Sequence, residues 1–93
     1  MRDHVDTEAL VGLTRELVAI DTQNPPGFEA AAIATCREAL EPFDAAFEEF
    51  EVAAGRTSLL AAVNLPEPAA APTLIVNGHL DVVPVDFSGW KHD

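Results

Sequence analysis

The chain has 93 residues, 48% of them apolar, which suits one small domain with a modest core and is too apolar for a disordered chain. Sixteen Asp and Glu stand against five Lys and Arg, a formal net charge of −11 that repels nucleic acid and anionic membrane, so neither is expected as a partner. No apolar run approaches the roughly 20 residues of a membrane span, Met1 to Asp6 lacks the apolar stretch of a secretory signal, and the single cysteine has no internal partner, so a reducing, cytoplasmic setting is expected.

The acidic residues are spread along the chain as on a solvated surface. A salt-rich cytoplasm would screen such a surface, and the many alanines, single lysine and strong acidity favour that expectation over an ordinary acidic protein.

Thr7 to Ile20 is expected to be a helix. Leu10, Leu13, Leu17 and Ile20 recur at helical spacing, with Val11 and Val18 widening the stripe. Asp6 or Thr7 can cap its start, and Glu8 suits the positive end of the dipole. Asp21-Thr22-Gln23-Asn24-Pro25-Pro26-Gly27 breaks the helix and reads as an ordered turn.

A second helix is expected from Phe28 to Leu40, with Ala32, Ile33, Cys36, Ala39 and Leu40 as its buried stripe and Pro42 at or just past its end. Cys36 lies on that stripe while its neighbour Arg37 falls on the wet side of the helix, which reads as a small buried hydrophobe rather than a reactive thiol. Three strands are then expected: Ala46 to Val52, Ser58 to Asn64, and Thr73 to Asn77. The last is β-branched and apolar on both faces, as in a strand covered on both sides. Leu65 to Pro72 is a proline-studded connection that cannot be a central strand. The order of elements gives an α/β class, two helices followed by about three strands.

Polar groups arrive where the third strand ends, in Asn77-Gly78-His79-Leu80-Asp81-Val82-Val83-Pro84. Open α/β sheets place ligand sites at the carboxyl ends of strands. In an extended segment His79 and Asp81 share a side. Asp81 can then accept from one imidazole nitrogen and leave the other for a metal. On spacing alone, a His-x-Asp pair is more often a local hydrogen-bonded couple than a metal site. A Ser-His-Asp triad would draw on Ser58 or Ser88, and neither stands on a strand-to-helix elbow. His4 and His92 read as exposed side chains near the ends, Trp90 as a packing residue, and Glu48-Glu49 as a solvated edge.

The string Ile75 to Pro84 resembles the first metal-ligand motif of the zinc peptidase/deacetylase family, which includes acetylornithine deacetylase, succinyl-diaminopimelate desuccinylase, aminoacylase and glutamate carboxypeptidase. Leu17 to Thr22 followed by Asn24-Pro25-Pro26-Gly27-Phe28-Glu29 is similar to that family's first helix and proline-glycine loop. Ser88-Gly89-Trp90-Lys91-His92-Asp93 is similar to its tryptophan loop, which in the family usually continues Asp-Pro-Phe.

The resemblance implies that residues 1–93 are the N-terminal portion of a three-layer α-β-α metallohydrolase catalytic domain. His79 would be a zinc ligand and Asp81, in the catalytic set, the carboxylate that orients it. The other ligands, the Glu general base and a dimerisation domain would lie beyond Asp93. The implied activity is hydrolysis of an amide in an N-acyl amino acid or small peptide, using two zinc ions (cobalt or manganese also suit such ligands) in what would be a homodimer. This piece alone would then be inactive. The alternative is a non-catalytic acidic α/β binding module or remnant.

Overall fold

The computed structural model describes residues 5–63 and 74–91. It is a mixed α/β arrangement. Helix α1 (Thr7–Val18) and helix α2 (Ala30–Leu40) precede a short 3-10 turn (Glu41–Phe43) and an antiparallel hairpin of β1 (Ala46–Ala53) and β2 (Arg56–Ala62). No helix among the described residues is long and apolar enough to cross a membrane.

Helix α1 starts where Asp6 accepts a hydrogen bond from the Ala9 amide at 3.1 Å, and Glu8 lies in its first turn. It ends at Val18, two residues short of the expected Ile20. The Asp21 carboxylate captures the Gln23 backbone and side-chain N–H groups at 3.0 and 3.1 Å, a local alternative to further helix. None of the α1 residues is buried, and Leu10 is 57% exposed.

Helix α2 begins at Ala30 rather than Phe28, because the Glu29 amide donates to the Gly55 carbonyl at 3.0 Å and turns the chain across the hairpin. Only Ala32 and Ile33 of its expected stripe are buried; Cys36, Ala39 and Leu40 are half-buried. These two residues are the apolar core among the described residues. Pro42 sits in the 3-10 turn just past the helix, as Leu40 and its flanking proline lead one to expect.

In the hairpin Phe47 faces Ala61, Glu49 faces Leu59 and Phe50 faces Ser58. The turn at Ala54-Gly55 needs glycine: Gly55 has φ +75°, and a Cβ there would meet the Phe28 ring at 2.1 Å. Arg37 of α2 lies 4.5 Å from the centroid of Phe47 and pairs with Glu49, which ties helix to sheet from the solvent side.

The third expected strand is corrected. Leu74, Ile75, Val76 and Asn77 form no strand, and the three apolar residues are 82–87% exposed. A strand exists through its ladder bonds, and no described residue pairs with these four. The expected connection Leu65 to Pro72, with Thr73, lies outside the described residues.

Candidate functional site

The loop after α1 holds the segment that carries His79 and Asp81. Val82 donates its amide to the Thr22 carbonyl at 3.1 Å, and Asn24 donates its amide to the Val82 carbonyl at 2.8 Å, a parallel bridge centred on Gln23 and Val82. The buried Thr22 hydroxyl donates to the Leu80 carbonyl at 2.7 Å. The Val85 amide donates to Gln23 Oε1 at 2.7 Å. The residue between His79 and Asp81 is therefore anchored, and the two polar side chains are presented from a fixed backbone.

His79 and Asp81 are in contact. Nδ1 of the imidazole lies 2.8 Å from the Asp81 backbone carbonyl oxygen and 3.2 Å from Asp81 Oδ1. Both are acceptors, so Nδ1 carries a proton whenever the carboxylate is ionised, and the lone pair of the neutral ring sits on Nε2. The backbone carbonyl, rather than the carboxylate, is the nearer acceptor. His79 remains 82% exposed at its side chain.

The other carboxylate oxygen of Asp81 has partners of its own. Asn24 Nδ2 donates to Oδ2 at 3.1 Å, and Arg56 Nη2 lies 3.6 Å from it. A carboxylate can only accept, which fixes the Asn24 amide with its NH2 towards Asp81. Arg56 is held in turn by Glu29, its Nε lying 3.0 and 3.1 Å from the two carboxylate oxygens. The Asn24 hydrogen bond, followed by the hydrogen bond and charge of His79 and the charge of Arg56, holds the Asp81 carboxyl below its usual range against desolvation.

Glu29, Arg56, His79 and Asp81, though not Asn24, line one concavity of about 480 Å³ together with Ile33 and Cys36. Partial burial pushes the Cys36 thiol up, which suits a protonated, unreactive group. Ser58 borders the same space, but no hydrogen bond joins Ser58 or Ser88 to His79 among the described residues. Ser58 stands within β2 and Ser88 in a turn capped by Asp86, so neither is on an elbow. Trp90, expected to pack, meets only the Phe87 ring edge-on at 6.4 Å and stays 65% exposed. His4 and His92 lie outside the described residues.

Three residues at this site are absent from the expected set: Asn24, Glu29 and Arg56. Their signal in the sequence is faint. Asn24 lies in the proline-glycine turn and Arg56 follows a turn glycine, but pairing either with Asp81 needs the fold. Among the described residues no group of three or more His, Cys, Asp or Glu side chains could hold a metal ion. The donor chemistry fits one ligand of a zinc site, a neutral imidazole with its second nitrogen bonded to oxygen.

No protein-family model, curated protein or solved structure matches the chain.

Proposed function

We propose that this chain supplies His79, oriented by Asp81, to the metal site of a zinc-dependent amidohydrolase, within the N-terminal part of a three-layer α-β-α catalytic domain. The observation that carries the reading is the Nδ1 contact with two acceptors, which leaves Nε2 as the coordinating atom. The resemblance of Ile75 to Pro84, of the Asn24-Pro25-Pro26-Gly27 turn and of the Trp90 loop to the zinc peptidase/deacetylase family supports the same reading. The substrate class is an N-acyl amino acid or small peptide, the setting is cytoplasmic, and the complete enzyme is a homodimer. Cobalt or manganese would suit the same donors.

A bound metal supplies Lewis acidity and a water of lowered pKa. His79 would hold it through Nε2. Asp81 fixes the ring, its backbone carbonyl and its carboxylate both facing Nδ1. Glu29 holds Arg56 beside Asp81, so the carboxylate carries a counter-charge without being drawn off the imidazole.

The test is a Zn²⁺ titration of the chain followed by NMR. The His79 ring signals are expected to move first, with an affinity weaker than about 1 µM, because one imidazole replaces the three or four protein ligands of a usual site. No amide hydrolysis should accompany it. Ring signals of His79 that stay fixed while Zn²⁺ binds elsewhere would end the reading.

A second reading, a non-catalytic acidic α/β binding module, is favoured by the exposed apolar side chains of α1, Val18 at 78% among them. It expects indifference of His79 to zinc.

A further inference from the structure

We propose that Asn24 is a positioning residue for the His79–Asp81 couple, gripping one carboxylate oxygen so that the other stays turned to the imidazole. The inference deepens the metal reading and rests on it for its consequence, but its geometry stands without a metal.

Asp81 has two oxygens and they face different partners. Oδ1 meets His79 Nδ1 at 3.2 Å, and Oδ2 accepts from Asn24 Nδ2 at 3.1 Å. Free rotation about the side-chain bonds would exchange the two oxygens and swing both away from the ring. A hydrogen bond from a planar amide removes that freedom, since the carboxylate turns only by giving it up.

Arg56 does not do this work. Its Nη2 is 3.6 Å from Oδ2, too long for a hydrogen bond, and its Nε is committed to Glu29. It contributes charge with little direction. The Asn24 amide contributes direction and no net charge. The Asn24 backbone is itself fixed, its N–H donating to the Val82 carbonyl one residue beyond Asp81 at 2.8 Å. Donor and acceptor side chains thus spring from adjacent rungs of one bridge.

The consequence is the ring tautomer. While Oδ1 and the Asp81 carbonyl both face Nδ1, the proton stays on Nδ1 and Nε2 is free to bind a cation. Releasing Oδ2 leaves the backbone carbonyl as the only fixed acceptor and weakens that preference.

The experiment reads the tautomer by ¹⁵N-resolved NMR of the metal-free chain, at a pH where the ring is neutral. The Nδ1–H form should dominate. In Asn24→Ala the ratio of Nδ1–H to Nε2–H form should fall roughly fivefold, the scale of one hydrogen bond. Asn24→Leu, which keeps the volume and adds no charge but lacks a donor, should do the same. The amide signals of Val82 and of residue 24, the two donors of the backbone bridge, report whether it survives. Zn²⁺ affinity, measured separately, should fall roughly tenfold in both variants.

An unchanged tautomer ratio in either variant overturns the proposal. So does a ratio that changes only where the bridge signals are also lost, because Asn24 would then act through the fold. Failure of the metal reading looks different: the tautomer responds to Asn24 as stated, yet Zn²⁺ leaves the His79 ring untouched.

Discussion

The Arg56 guanidinium and the Glu29 carboxylate join the first residue of β2 to the residue before α2. Arg56 Nε lies 3.0 and 3.1 Å from the two Glu29 oxygens. Gly27, at φ +82°, makes room for this pair; a Cβ there would stand 2.7 Å from the guanidinium carbon. The Glu29 side chain is 12% exposed, against 42% for Glu49 in its surface pair with Arg37. Solvent screens the second pair far more than the first.

Glu29→Gln should therefore destabilise the chain by about 1–2 kcal/mol, since it removes the nearer of the two carboxylates beside a half-buried guanidinium and leaves only Asp81 at 3.6 Å. Glu49→Gln should change stability by less than about 0.5 kcal/mol. Urea unfolding midpoints measure both. Equal effects would show that burial does not distinguish the two pairs.

Two glycines give opposite expectations for the same substitution. Gly12 lies inside α1 with open space around it, so Gly12→Ala should stabilise by about 0.5–1 kcal/mol through helix propensity. Gly55→Ala meets both a positive φ and the Phe28 ring at 2.1 Å, and should cost about 1–3 kcal/mol. Thermal unfolding of the two variants compares them directly. A harmless Gly55→Ala would mean that the Phe28 ring does not rest on the turn.

Both helices and both hairpin strands could be read in the sequence from local patterns: the helical spacing of Leu10, Leu13 and Leu17 in α1 and of Ala32, Ile33 and Cys36 in α2, the apolar Phe47 and Phe50 of β1, and the short apolar run at Leu59-Leu60-Ala61-Ala62 of β2. Their ends moved where a non-local or side-chain bond intervened, as at Asp21 and at Glu29. Leu74, Ile75 and Val76 carry the strongest strand composition of the chain yet no strand, since composition cannot provide a pairing partner. At the site, His79 and Asp81 are two residues apart and their contact follows from spacing. Asn24 is 57 residues from Asp81 and Arg56 is 27 from Glu29, separations at which no period operates.

Cys36 supplies the pH prediction. Burial raises its pKa, so the folded chain binds the thiol proton more tightly than the unfolded one does. Its contribution to stability is fully present below the unfolded thiol pKa and is lost as pH rises through the higher folded value. Alkylation by iodoacetamide should accordingly be slower than that of a free thiol at pH 8, with its rate midpoint displaced to higher pH. Unfolding in urea should restore the ordinary profile. A midpoint below that of free cysteine would mean an activated thiol and would return Cys36 to the list of chemical groups.

Thr22 tests whether backbone anchoring matters to the imidazole. Its hydroxyl donates to the Leu80 carbonyl at 2.7 Å, and Thr22 is only 5% exposed. Thr22→Val keeps the volume and removes the donor, leaving the Leu80 carbonyl without it; the expected cost is about 1–2 kcal/mol. Leu80 lies between His79 and Asp81, so the loss should reach beyond stability. The Val82 and Asn24 amides, which form the neighbouring bridge, should exchange with solvent faster by roughly tenfold, the population of open bridge rising with its lost free energy. Thr22→Ser should restore most of the protection, because the hydroxyl rather than the methyl group carries the bond. Faster exchange in the serine variant equal to that in the valine variant would assign the effect to packing, and the His79–Asp81 segment would then be held by the bridge alone.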